Sequence, residues 1–190
     1  MAEERTLIVG LGNPGASYNG TRHNVGFDAL DAFASRLGVS VTTKKFNGLM
    51  GQGPFGSKSL VLLKPQTFMN VSGDSAQPCA AFYRVPVERV IVLHDELDLP
   101  PGTLRLKRGG GHGGHNGLRH LIQRFGSPEF LRLRLGIGRP ERGDVTPFVL
   151  GRFGGEERGR IDDLIERACD ALEVLIDHGL EEAQQRYHSR

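Results

Sequence analysis

Two cysteines among 190 residues leave no disulfide framework and no metal knuckle. Cys79 and Cys169 each sit beside an alanine in a helical pattern, which reads them as small core residues. No apolar run approaches the length of a membrane span, and the N-terminus has no signal-peptide h-region. These absences together point to a reducing cytosol. There is no Gly-x-Ser-x-Gly elbow, and neither cysteine stands at a strand end, so no serine or thiol nucleophile is indicated. Repeats, long linkers and low-complexity tracts are also missing, and the length suits one domain over residues 1–190. The net charge is only +2, but it is unevenly spread. Residues 101–143 hold a net +7 and the remainder −5, which suggests a docking face for a polyanion.

What is present is organised around residues 7–28. Leu7–Val9 is a short β-forming apolar run, read as a buried central strand. It stops at the turn Gly10-Leu11-Gly12-Asn13-Pro14-Gly15, followed by the polar loop 16–24 with Tyr18, Arg22 and His23. In an open α/β sheet such a loop hangs over the functional crevice. Gly10, Gly12 and Gly15 match the dinucleotide fingerprint, which needs a helix opening at the glycines and an acid about 20 residues on at a strand end. Pro14 and the polar loop follow instead, and Asp28 and Asp31 fall within a helical pattern. No nicotinamide or flavin is therefore expected.

A helix is predicted from an Asn24 N-cap to Gly38. A strand should follow over 39–43, then a hairpin with arms 45–52 and 59–64 around Gly53-Pro54-Phe55-Gly56. Leu60–Leu63 is apolar throughout and should be buried on both faces. After the loop 64–70 a helix runs to about Arg84, with Pro78 expected to kink it or to mark a late start. Val90–Leu93 reads as a third strand, ending at His94-Asp95-Glu96. A strand over 103–107 leads to a glycine-rich loop and a helix through Phe125 with Asn116 near its N-cap. Residues 130–137 alternate as a strand that puts Arg132 and Arg134 on one face. Residues 139–143 read as a loop, 161–176 as a strong amphipathic helix ended by Gly179, and a short polar helix closes the chain. Alternating strands and helices with a hairpin give an α/β fold with a mixed, largely parallel sheet between helices.

Four polar loops or strand ends hold the chemistry: 13–23, 68–70, 94–98 and 112–116. An imidazole beside a carboxylate can activate water directly, because it titrates near working pH and the carboxylate fixes its tautomer. Asparagines offer donor and acceptor together, suited to a peptide or a ribose. His112, His115 and His120 resemble a zinc set, but the loose glycines around the first two and the separate helical turn of the third weigh against a metal. A glycine loop before a helix more naturally admits a backbone or an anion.

Several long motifs occur in order: Val9–Gly15, Tyr18, Thr21–Asn24, Thr67–Asn70, His94–Gly102, Gly109–Leu118 and Phe148–Gly151. Taken together they resemble the bacterial peptidyl-tRNA hydrolases over nearly the whole chain. Pro78 and the polar C-terminal tail depart from the pattern and leave the motif residues untouched. The resemblance implies hydrolysis of the ester joining a peptide to the terminal ribose of tRNA. It implies His23 as the general base, Asp95 as the group that holds its basic form, and Asn13 as a sensor of a blocked amino group. Tyr18, Phe68, Asn70 and Asn116 would contact the peptidyl-tRNA end, and Lys107 and Arg134 would clamp tRNA phosphate. No metal or organic cofactor, no membrane and a monomeric, cytoplasmic enzyme are expected. A non-catalytic RNA-binding protein on the same fold is the competing reading; it would not need His23 with Asp95.

Overall fold

The computed structural model describes residues 4–188. Seven strands form one sheet: β1 Arg5–Gly10, β2 Thr43–Lys45, β3 Gly48–Phe55, β4 Lys58–Pro65, β5 Val90–Glu96, β6 Leu104–Arg108 and β7 Leu131–Gly136. Their order is β2-β3-β4-β1-β5-β7-β6. The four central strands run parallel, and β2, β3 and β6 add antiparallel pairs at the two edges. The main helices are α1 Val25–Leu37, α2 Gly73–Phe82, α3 Asn116–Phe125, α4 Val145–Val149, α5 Gly155–His178 and α6 Leu180–Tyr187.

Period-two alternation splits the apolar strand residues between two cores. Ile8, Leu60, Leu62, Ile91 and Leu93 join α1 and α5 on one face, and α6 packs there too. Leu7, Val9, Val61, Leu63, Val90 and Val92 join α2 and α3 on the other. Both cysteines are buried in these cores, as expected, and burial pushes the thiols up to about 12 for Cys79 and about 11 for Cys169. No described helix is long and apolar enough to cross a membrane.

Four local expectations change. The strand expected at 39–43 is only the short β2, because Val39 and Ser40 cross the face of β3. A Cβ on Gly51 would stand 2.2 Å from the Ser40 carbonyl oxygen, and one on Gly53 would stand 2.4 Å from Val39 Cγ2. The hairpin turns later than expected, at Gly56-Ser57. Pro54 remains in β3, where β2 no longer covers the strand and a missing N–H is tolerated. α2 starts five residues before Pro78, so the proline does not mark a late start. The third strand extends through His94, Asp95 and Glu96, which ladder with β7. Helix α4, just past the 139–143 loop, had no forecast.

Gly10 and Gly12 of the GxGxxG run serve packing, and Gly15 serves the turn with a φ of 105°. A Cβ on Gly10 would lie 2.5 Å from Gly26 O, and one on Gly12 would enter the Phe27 ring. They let the start of α1 seat directly on β1, which delivers the loop before α1 to the carboxyl end of the parallel strands.

Candidate active site

Two residues fix the entry loop. Asn24 occupies the N-cap position of α1, but its side chain does not cap the helix. Its Oδ1 accepts from Asn13 N–H at 2.8 Å and its Nδ2 donates to Asn13 O at 2.9 Å, so it holds the Asn13 backbone at both ends. Arg22 donates to Glu157 Oε1 at 2.8 Å and to Phe148 O at 3.0 Å, and its guanidinium lies 4.2 Å from the Phe148 ring centre. Between these anchors a single 3-10 turn, Arg22–Asn24, presents His23.

Asp95, near the end of β5, is 3 % exposed. His23 arrives from the loop before α1, on one side of the sheet, and donates Nδ1–H to Asp95 Oδ2 at 2.7 Å. His115 arrives from the loop before α3, on the other side, with Nε2 2.7 Å from Asp95 Oδ1. Burial opposes the carboxylate charge, but the two imidazoles beside it outweigh burial and hold Asp95 far below the usual carboxylate range. Burial likewise pulls His23 down, and Asp95 overrides it by charge and hydrogen bond, so His23 is raised above its ordinary 6.5. With its proton fixed on Nδ1, neutral His23 keeps its Nε2 lone pair free.

This dyad opens on a cleft of about 660 Å³ whose wall also contains Asn13, Phe68, Asn70 and Asn116. Asn13 Oδ1 accepts from Met69 N–H at 2.7 Å. The side chain expected to donate and accept equally has therefore committed its acceptor, and its Nδ2 is the group left for a substrate. Phe68 is exposed, and Tyr18 stands edge-on to it at 6.4 Å between ring centres. Asn70 and Asn116 are exposed at the cleft. Asn116 is the first residue of α3 and not its cap; His115 is the cap.

Lys107 and Arg134 lie outside this cleft, in an adjoining cavity of about 110 Å³ that shares Glu96 and Gly113 with it. Arg134 Nε donates to Glu96 at 2.9 Å. Burial and the neighbouring Arg132 and Arg134 lower the pKa of Lys107. Arg132 shares their face, as the alternation required, yet it is buried. Its guanidinium donates to the carbonyls of Gly110 and Gly111, which ties down the glycine-rich loop. His94 faces the same cavity, held neutral by burial that lowers it to about 3.

His112, His115 and His120 do not converge: His112 accepts from Gly114 N–H and His120 from Gly73 N–H. Among the described residues, His23, Asp95 and His115 do bring potential ligand atoms within 4.8 Å of one another. They do not suit a metal ion. His115 Nδ1 already accepts from Gly117 and Leu118 N–H, so Nε2 must hold the proton that a metal would displace. Sequence reasoning weighed His115 only as a metal ligand and missed its place beside Asp95. The Gly-Gly-His-Asn-Gly run before a helix was the available signal, since it marks a cap position.

Comparison with known proteins agrees along the whole chain. The family model described as peptidyl-tRNA hydrolase matches residues 7–190. The chain is 50 % identical over 184 residues to the peptidyl-tRNA hydrolase of Citrifermentans bemidjiense, covering 97 % of this chain and 98 % of that one. It is 48 % identical over 182 residues to the enzyme of Caldanaerobacter subterraneus subsp. tengcongensis, covering 96 % and 98 %. Among solved structures, peptidyl-tRNA hydrolase from Acinetobacter baumannii superposes with a TM-score of 0.93 at 40 % identity, covering 100 % of this chain and 96 % of that one.

Proposed function

The chain belongs to the peptidyl-tRNA hydrolase family, and from that membership we propose how its own residues perform the reaction. The activity is hydrolysis of the ester that joins a peptide to tRNA. The observation that supports the assignment of roles is the 2.7 Å bond from His23 Nδ1 to buried Asp95, which leaves Nε2 as a free base at the cleft.

His23 Nε2 takes a proton from water as the water oxygen attacks the ester carbonyl carbon. The tetrahedral intermediate collapses by breaking the bond to the ribose oxygen, which recovers the proton from His23 as it leaves. Asp95 remains ionised, fixes the imidazole tautomer and stabilises the imidazolium. Asn13 Nδ2 donates to the carbonyl of the N-acyl group on the substrate. A free α-amine is mostly protonated near neutrality and has no acceptor to offer, so it meets an unmatched donor. Tyr18, Phe68, Asn70 and Asn116 contact the peptidyl-tRNA end.

Lys107 and Arg134 bind phosphate of the tRNA backbone beside the acceptor end. Both face the small cavity next to the cleft, within the basic segment. We further take the enzyme to be a cytoplasmic monomer that needs no metal or organic cofactor.

The deciding experiment is release of tRNA from an N-acetyl-aminoacyl-tRNA. His23→Ala should lower turnover by roughly 10²–10⁴-fold while binding persists. Near-normal turnover in that variant would remove His23 from the mechanism, and no release by the unmutated chain would restore the competing reading of a non-catalytic RNA-binding protein.

A further inference from the structure

His115 makes three hydrogen bonds in this site. Its Nδ1 accepts from Gly117 N–H at 3.1 Å and from Leu118 N–H at 3.2 Å, as the N-cap of α3. A ring nitrogen that accepts has no proton, so the proton sits on Nε2. That N–H meets Asp95 Oδ1 at 2.7 Å, opposite the oxygen that receives His23. The start of the helix thus selects one tautomer and aims it.

We propose that His115 is a positioning residue for the hydrolysis, a donor fixed by the helix terminus that orients Asp95 toward His23 and shares the carboxylate's charge. The proposal rests on the reading of His23 as base and Asp95 as its partner. A carboxylate with a single imidazole could rotate, and its whole charge would fall on His23. The base would then hold its proton more tightly and be scarcer in active form at working pH. Drawing one oxygen toward a second, neutral donor limits both effects.

The other charges around His23 are already paired. Arg22 of the same turn faces Glu157 on α5 and the Phe148 carbonyl on α4. Glu96 on β5 faces Arg134 on β7, and Arg139 faces Asp98. His94 on β5, kept neutral by burial, donates Nδ1–H to the Asp95 carbonyl at 2.8 Å and stands edge-on to the His115 ring at 5.3 Å. His115 is thus the side chain that bonds the carboxylate of the His23–Asp95 pair from outside it.

The alternative is that His115 serves only as a helix cap. Two variants separate the roles. His115→Asn keeps an oxygen where Nδ1 stands and retains the cap, but it is too short to donate to Asp95. His115→Gln can reach Asp95 with its amide and gives up the cap. The readouts are the titration of the His23 ring by NMR, the pH profile of kcat/KM on N-acetyl-aminoacyl-tRNA, and Tm.

His115→Asn should move both the His23 midpoint and the acid limb to higher pH. It should lower kcat by about tenfold or more, as misplacement of a catalytic group does, with KM and Tm near wild type. His115→Gln should keep the wild-type midpoint and limb while losing Tm. A wild-type His23 titration in His115→Asn, or the same displacement in both variants, overturns the proposal and leaves His115 a cap. The reading beneath it fails separately: if His23→Ala keeps full turnover, the role in hydrolysis falls whatever the NMR titration of His115→Asn shows.

Discussion

Gly26→Ala pits two effects of opposite sign against each other at a position that touches no substrate. Gly26 is the second residue of α1. In an exposed helix interior, Gly→Ala stabilises by about 1 kcal/mol. Here the added Cβ would stand 2.4 Å from Leu93 O, 2.6 Å from Leu11 O and 2.8 Å from Leu11 N, all backbone atoms. None can rotate away, so the helix must withdraw by about 0.6 Å for the closest contact to reach 3.0 Å. Overpacking of this kind costs about 1–3 kcal/mol, and the rigid neighbours place it at the upper end. The net result should be a loss of about 1–2 kcal/mol, which for a chain of this length lowers Tm by roughly 2–8 °C. His23 precedes Gly26 by three residues and moves with the helix. A displacement of that size stretches its 2.7 Å bond to Asp95, and kcat should fall by about 10- to 100-fold. Gly159→Ala is the control: it lies within α5 with nothing within 4 Å of its Cβ, so it should raise Tm by a few degrees, roughly 2–4 °C, and leave kcat alone. The assays are thermal unfolding and tRNA release. If Gly26→Ala unfolds at or above the wild-type temperature with normal kcat, the close seating of α1 does not position the base.

Because Asp95 raises His23 above its ordinary 6.5, His23 stays protonated over a wider range, and kcat/KM should fall as pH drops through that raised value. Asp95→Asn removes the raising partner and leaves burial, so the acid limb should move to lower pH while kcat drops by roughly 10²–10⁴-fold; an unmoved limb would mean that another group controls it. Asn13→Ala should cut hydrolysis of N-acetylated substrate strongly and of free-amine substrate weakly, narrowing the ratio of specificity constants, whereas equal losses would make Asn13 a positioning residue through Met69. Lys107→Ala and Arg134→Ala should each weaken binding of all tRNAs alike and reduce the log–log salt slope by roughly 0.7–0.9, and unchanged slopes in both would put the phosphate contact elsewhere.

The fold and the family were legible from end to end, because both are written in local or collinear signals. Apolar runs of four residues identify strands buried on both sides, a period of 3.6 identifies α5, and long motifs in register identify relatives. The errors fall where a distant segment overrides a local preference. Gly53-Pro54 has turn chemistry, but β4 pairs with it and β2 leaves its outer side free. Val39–Thr43 has strand composition, but Gly51 and Gly53 give it a groove to cross. Asn24 is a good cap residue, but its side-chain oxygen and nitrogen are both taken by the Asn13 backbone, 11 residues earlier.

The sequence by itself determined which side chains could do chemistry: an imidazole without a serine or thiol nucleophile, asparagines at strand ends, and cations gathered in one segment. Only the tertiary structure decided which atoms of those side chains are available. His23 and Asp95 are 72 residues apart, and His115 lies a further 20 beyond Asp95. They meet because α1 and α3 cover opposite faces of the sheet and both begin at its carboxyl edge, where β5 ends. Tautomer, free lone pair and spare donor are set by what the other end of each group already binds, and those partners are distant in the chain or fixed only by the backbone's path. The cap that sets the His115 tautomer is the local exception, made to Gly117 and Leu118; no local pattern records the others, because a hydrogen bond is decided by angstroms of separation and not by spacing along the sequence.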